Sequence, residues 1–579
     1  MLDILFINPT VQLHLGNEVN GTLLLGTKLL QAGLRVQVLR FGQIKGHDED
    51  YKAFIENAVR QIVELDPKCV SFYTLWPDYH IMLHIARELK RRNSHITVVF
   101  GGPQASATAM AAMETASYID YICTGEGEDT VVPFFNGVLN GGSVDHVPGV
   151  YYRAEGKIVV TPGEQPLCDL NTLPYWDERL YTVSGDDKLT SKQYLMPIDA
   201  GRGCPYNCTF CCTSHFWRRT YRLKSAERIV QDIRYYKEKY GIVSFYFSHD
   251  AFTINKTLVA EVCKQIIEEN LNIHWGCAAR ADCITPELIQ QMKAAGMFSI
   301  ALGVETGSNR MQKLTNKNLD LNKLKSTVQM LLDAGLVVRL FFMYGFPEET
   351  EEDLNDTLKL MFDLTDMGVQ QMNAAYCRFN PATAITQQYY DQLVFDPSVK
   401  VLFRKTFGYK EQEEFIKNNK ALFTCYFHLH TKVRDEYQYV ILLYHLYQQY
   451  PKTARLARKL YNGDYLKMYE DFIVKNPDAF ADDVDHAVEL LLADTLSFWR
   501  NMLQHRQESY VPQLLGLMEY ERDLEILKKS KENRVIDKVY DFDFLEYKLG
   551  VPVEKFTPGK TRLVLERTGG KITQKMVNI

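Results

Sequence analysis

Two stretches of the chain alternate short apolar runs with amphipathic helical patterns, and that alternation limits the available folds more than any other feature. In residues 1–140 the runs are DILFIN (3–8), RVQVLRF (35–41), CVSFYT (69–74), HITVVFGG (95–102) and IDYICTG (119–125), separated by segments such as HIMLHIARELKRR. Such regularity predicts an α/β unit, a parallel sheet covered on both faces. Five strands suit a doubly wound, flavodoxin/Rossmann-like domain whose ligand lies beyond the carboxyl ends of its strands. Residues 196–385 alternate again through MPIDAGRG, VSFYFSHD, NIHWGCAAR, FSIALGVE, VVRLFFMYG and VQQMNAAYC. Six strand–helix units predict a partial (β/α)6 barrel of the TIM type, with its chemistry at the same strand ends. Residues 141–195, rich in Gly, Pro and turns, predict a linker with a hairpin from GVYYRAEG into KIVVTPG. From 386 to 579 aromatic-rich helical patterns predict a mainly α-helical domain, closed by a hairpin turning at Gly569–Gly570. Its stripe Tyr437, Tyr439, Tyr444 and Tyr447 reads as core.

Composition narrows the partners. At 579 residues the chain exceeds what one hydrophobic core supports. Lys+Arg 66 against Asp+Glu 72 leaves no basic excess for nucleic acid. No apolar run reaches the ~18 residues of a bilayer span, and Asp3 stands where a signal peptide carries base. A soluble, cytoplasmic protein without membrane partners is expected. In that reducing compartment a local group among the 12 Cys points to metal rather than disulfides.

Such a group lies just after the first barrel strand. GRGCPYNCTFCC places Cys204, Cys208 and Cys211 as C-x-x-x-C-x-x-C, a loop able to wrap three thiolates around one face of a 4Fe–4S cube and leave the fourth iron open. A structural zinc wants four ligands in two separated pairs, and no second pair follows. Cys212 is read as a buried spare thiol, and Cys69, Cys123, Cys263, Cys277, Cys283, Cys377 and Cys425 as core.

The spacing, with Phe210 before the last Cys, resembles the radical S-adenosylmethionine (SAM) enzymes. The resemblance implies that the open iron chelates SAM and that reduction cleaves it to a 5′-deoxyadenosyl radical. Gly201 and Gly203 would let the loop approach the cluster closely. Asp250 in FSHDAFT, Arg280 in CAARADCI, Glu305 in GVETGS and Gly345 in MYGFPEET resemble the family's SAM-binding segments. Each also has a plain structural reading: Asp250 and Glu305 as helix caps, Arg280 as a salt-bridge partner, Gly345 within a turn.

A doubly wound domain ahead of such a barrel resembles the cobalamin-binding domain of cobalamin-dependent radical SAM enzymes. Candidate contacts lie at strand ends: Pro9 in NPT, Thr74 and Trp76 in FYTLW, Gly101, Gly102 and Gln104 in FGGPQAS, and Gly125, Glu126 and Gly127 in TGEGE. A dinucleotide is a poor alternative, because no G-x-G-x-x-G follows the first strand. The D-x-H-x-x-G motif that gives cobalt a histidine is also absent: His14 lacks the Asp, and Asp78-Tyr79-His80 lacks the Gly and reads as a helix start. The resemblance therefore implies base-off cobalamin without a His ligand, with Trp76 offering an apolar face beneath cobalt.

The function implied is a cobalamin-dependent radical SAM methyltransferase. One SAM methylates cobalamin, and a second yields the radical that activates an unreactive carbon of a peptide or small metabolite, with electrons from a donor such as flavodoxin or ferredoxin. The cofactors carry the chemistry, so no protein residue is assigned as catalytic. A rearrangement, ring contraction or cyclisation on the same cofactors is the alternative. A non-catalytic cobalamin carrier or sensor is the reading from another class, and the intact cysteine triplet argues against it. The C-terminal domain is the expected specificity element.

Overall fold

Strand β1 (Leu2–Asn8) shows why the first sheet forms. Ile4, Leu5, Phe6 and Ile7 are all buried, the near-continuous apolar run of a strand covered on both faces. The computed structural model describes residues 2–8, 19–40, 51–163, 166–180, 195–396, 409–449, 454–455, 457–477, 490–491, 494–530, 532–548, 553–556, 558–568 and 571–577. Strands β1, β2 (Val36–Arg40), β3 (Pro67–Tyr73), β4 (Thr97–Gly101) and β5 (Tyr121–Cys123) lie in the order 2-1-3-4-5. All their pairings are parallel, with helices between them, as expected of a flavodoxin-like unit. The expected hairpin, β6 (Val150–Ala154) and β7 (Lys157–Val160), is present. It does not stand apart as a linker: β6 pairs antiparallel with β5 and lengthens the sheet to seven strands.

The second sheet follows sequence order: β8 (Leu195–Asp199), then, beyond the two-residue strands β9 (Gly201–Arg202) and β10 (Arg222–Leu223), β11 (Ser244–Ser248), β12 (His274–Ala279), β13 (Met297–Glu305), β14 (Val337–Tyr344) and β15 (Gln371–Tyr376). With β8 and β15 at its two ends, this is the expected partial barrel. Local chemistry sets its helices. Ser225 caps Ala226–Tyr240 by accepting from the Arg228 amide, and Gly241, at φ +69°, ends it in the left-handed conformation. Thr350 and Asp353 form a reciprocal capping box on Glu351–Asp366.

The chain divides into two compact units. One comprises Met1–Gly303, Lys313–Val338 and Cys377–His430; the other Val304–Gln312, Arg339–Tyr376 and Thr431–Ile579. The first holds the whole N-terminal sheet, β8 to β12 and most of β13, together with the short antiparallel pair β16 (Val394–Phe395) and β17 (Phe427–His428). In the second, Tyr437, Tyr444 and Tyr447 are buried as core with their hydroxyls bonded, while Tyr439 of the same stripe is half-buried. Tyr447 donates to Asp366 at 2.5 Å, and Tyr444 accepts from the Met372 amide at 3.1 Å. The C-terminal region ends in three antiparallel strands rather than a lone hairpin: β18 (Arg534–Tyr540), β19 (Thr561–Thr568) and β20 (Lys571–Val577). The expected turn at Gly569–Gly570 lies outside the described residues. No described helix is long and apolar enough to cross a membrane.

Candidate cofactor site

The loop carrying the three cysteines is built by close backbone approach. Just past β8, β9 pairs antiparallel with β10. A Cβ on Gly201 would overlap the Arg222 carbonyl and come within 2.8 Å of His249. Gly203 sits at φ +83°, and a Cβ there would overlap the Thr220 carbonyl oxygen. Both glycines are thus demanded by the chain's own β10 segment rather than by room for a cluster. Beyond them, Cys204, Cys208 and Cys211 are half-buried. The Thr209 amide donates to Thr315 O (2.9 Å), Asn316 Nδ2 to Asn207 O (2.8 Å) and the Ile385 amide to Thr209 O (3.0 Å), so the loop is pinned from two sides. Burial pushes the Cys204 thiol up, and the neighbouring Cys211 adds to this; a bound cation would reverse both effects. Three soft sulfur donors on one short loop fit a cluster with one open iron.

Arg280 clamps the same loop. It is buried, forks onto Asp282 at 2.8 and 3.1 Å, donates to Lys317 O at 3.0 Å and lies 3.7 Å from the centre of the Tyr206 ring, between Cys204 and Cys208. The salt-bridge alternative thus describes its contacts. Phe210 is half-buried in the loop. Cys212 is not the buried spare thiol expected. It opens the short helix Cys212–Phe216 and, with Asp250, faces a cavity of about 580 Å³. Asp250 is exposed to this cavity, yet desolvation by the protein around it raises its carboxyl although Thr213 Oγ donates to it at 3.4 Å.

The far wall of that cavity is made by strand ends of the first sheet: Tyr73, Gly102 and the run Gly125–Glu128. Gly102, at φ +93°, has no room for a side chain because a Cβ would meet Thr74 O at 2.9 Å, whereas Gly101 has only ordinary contacts. Thr74 is buried and satisfied, donating to Gly101 O at 2.8 Å and accepting from the Ala105 amide at 2.9 Å. Gln104, also buried, donates to Leu422 O at 2.9 Å. Trp76 opens a 3₁₀ turn, as the Asp78-Tyr79-His80 helix start requires. Its ring packs under the Arg378 guanidinium (4.7 Å) and against Tyr426 (6.2 Å), and it is not among the described residues lining the cavity. Pro9 lies outside the described residues. Gly102, Gly125 and Gly127 open gaps between Leu25, Tyr73, Pro103 and the paired Glu126 and Glu128 through which a broad, flat cofactor can approach the backbone, so the chain's residues fit one there.

Glu126 does not present an open carboxylate. Arg202 Nη1 lies 3.3 Å from it, Arg222 donates to it, and the Cys168 amide and thiol approach at 3.3 and 3.2 Å. Glu126, Glu128 and Cys168 stand close enough to share a metal ion, but the two guanidiniums occupy that place. Sequence reading missed Arg202, Arg222 and Cys168. GRGC and GEGE each carry the residue types, but nothing local shows that they meet.

In the second unit, Glu305 ends β13 at φ +71°, an unusual backbone for so large a side chain. Gly345, at φ +75°, follows β14, and a Cβ there would lie 3.1 Å from the Tyr376 ring. The buried Glu349 carboxyl accepts from the Gly345 amide and, at 3.3 Å, from that of Phe346, yet burial pushes it up to about 8. A carboxyl raised in the fold stabilises below its ordinary value of 4.5, and that stability is lost as pH rises toward 8. Wild type should therefore lose up to roughly 1.4 kcal/mol per pH unit across this window, and Glu349→Gln should flatten the slope. Thermal melting from pH 5 to 8.5 checks it, and parallel slopes would contradict it.

A model for the B12 binding domain matches residues 19–134, and one for the Radical SAM superfamily matches residues 198–361. The anaerobic magnesium-protoporphyrin IX monomethyl ester cyclase of Rubrivivax gelatinosus is 28% identical over 321 residues, 53% of this chain and 56% of that protein. An uncharacterized methyltransferase of Pyrococcus horikoshii is 25% identical over 328 residues, 56% and 68% of the two chains. The matched region thus spans little more than half of the cyclase and about two thirds of the methyltransferase. The solved structure of OxsB, a cobalamin-dependent S-adenosylmethionine radical enzyme with aqua-cobalamin and S-adenosylmethionine bound, superposes with a TM-score of 0.54 at 15% identity, covering 91% of this chain and 80% of that one. That likeness is one of fold.

Proposed function

Because the chain joins a B12 binding domain to a radical SAM domain, we propose that it is a cobalamin-dependent radical SAM enzyme that transfers a methyl group to an unactivated carbon of a peptide or small metabolite. One observation carries the reading: a single cavity has the strand-end loops of the B12 binding domain on one wall, and on the other Asp250 and the residue beside the cysteine triplet. When bound, the cluster, SAM and cobalamin supply reductive cleavage of SAM and a methyl carrier.

The chain's residues bind and orient. Cys204, Cys208 and Cys211 hold the cluster, with Phe210 in their loop. Arg280 braces that loop through Tyr206. Asp250 and Glu305 offer carboxylate acceptors for ribose hydroxyls, and the turn at Gly345 lies beside adenine. Gly102, Gly125 and Gly127 let cobalamin approach the backbone between the neighbouring side chains. We assign base-off cobalamin without a His ligand, since the D-x-H-x-x-G motif is absent, and an external flavodoxin or ferredoxin as electron donor.

The similarity to the cyclase favours a second reading, ring formation or rearrangement on the same cofactors. Product mass separates the two. Reconstituted protein given SAM with a trideuterated methyl group and the peptide and metabolite pool of its cell should yield a product carrying that methyl in place of hydrogen. A product of unchanged or hydrogen-depleted mass, without label, would establish the second reading instead.

A further inference from the structure

We propose that Arg202, with Glu126 and Glu128, forms a positioning strut that holds the cysteine loop at a set distance from the cobalamin-facing loop; this rests on the cofactor reading above. Arg202 lies in β9, two residues before Cys204, and Glu126 and Glu128 lie in the loop after β5. Its guanidinium spans both carboxylates, Nη2 to Glu128 at 2.6 Å and Nη1 to Glu126 at 3.3 Å, while Asp199 at the end of β8 takes a third contact at 3.2 Å.

Other groups hold the strut in place. Arg222, from the partner strand β10, donates to Glu126 and to Cys168 O at 2.9 Å. Lys28 donates to Glu128 O at 2.6 Å, and the Trp217 ring lies 5.4 Å from the Arg202 guanidinium. The side chains of Arg202, Glu126 and Glu128 are only 10%, 5% and 7% exposed. So dry an ion pair is costly to assemble and more costly to break, because a lone buried charge remains. It is therefore a poor source of net stability and a good source of fixed geometry. Its two ends fall on the cysteine loop and on the loop that would face cobalamin, so their separation would set how far a bound cluster lies from cobalt. All three residues line the cavity, but their charges are spent on one another, which makes Arg202 a positioning residue, and a displacement of about 1 Å at such a site costs on the order of a hundredfold in rate.

The test reads geometry rather than turnover. Full-length protein is reconstituted with iron, sulfide and hydroxocobalamin and reduced so that cluster and cob(II)alamin are both paramagnetic. The dipolar coupling between the two spins is then measured by EPR. Wild type should give one narrow coupling. Glu126→Gln, which removes one charge, and Arg202→Lys, which keeps the charge but loses the fork, should each broaden the distance distribution about twofold or more at unchanged iron and cobalt content. Should either fail to fold, Glu128→Gln, which leaves Arg202 two carboxylates, takes its place with the same expectation. Coupling as narrow in the variants as in wild type would overturn the strut while leaving the functional reading intact. Wild-type protein that takes up no cobalamin, or no cluster, would overturn the functional reading and the strut with it.

Discussion

Gly203→Ala should empty the cysteine loop of iron while leaving cobalamin uptake near wild type. At φ +83° an alanine pays the left-handed strain, of the order of 1–3 kcal/mol, and its Cβ overlaps the Thr220 carbonyl oxygen. That oxygen belongs to backbone leading into β10, which is paired with β9, so it cannot swing aside as a flexible side chain would. A cost of about 3 kcal/mol or more lowers the folded-to-unfolded ratio of the loop by more than about a hundredfold. Gly241→Ala provides the comparison. That glycine is also left-handed, at φ +69°, but nothing lies within 4 Å of its Cβ, so only the strain applies. Iron and sulfide per chain after anaerobic reconstitution check the pair. Equal iron in both variants would show that the Thr220 contact does not shape the loop.

The second large effect is at the thiols. Cys208→Ala should remove the 4Fe–4S absorbance and bring iron to near background, because two thiolates do not close one face of the cube. Cys212→Ala should retain full iron. Its thiol faces the cavity and is exposed, so exposure alone would make it the more reachable ligand; the spacing of the other three is what argues against it. Iron lost from Cys212→Ala and kept by Cys208→Ala would reassign the ligand set.

Much of this architecture was legible in the residues. Five apolar runs with helical spacers are enough for the five parallel strands, because strands buried on both faces leave continuous apolar words such as ILFI. The capping chemistry at Ser225 and Gly241 is equally local. What escaped reading depends on partners distant in sequence. Glu126 looks like a free carboxylate at a strand end, yet Arg202 and Arg222, 76 and 96 residues away, claim it. Thr74 and Gln104 likewise spend their polar atoms on the chain itself. Strand β18 was hidden for another reason. In RVIDKVY burial alternates, but Val535 and Val539 stand on the exposed face and Lys538 on the inward one, so the residue types do not mark a buried face. The β6–β7 hairpin was visible as a hairpin, but its attachment to β5 is an edge pairing that no local pattern announces.

Reductive cleavage of SAM is the reaction the cysteine loop must support. Protein reconstituted to a full cluster, given SAM and a low-potential reductant without oxygen, should release 5′-deoxyadenosine, and the Cys208→Ala variant treated identically should release none. Wild-type protein that carries its full iron and sulfide yet forms no 5′-deoxyadenosine would contradict the account.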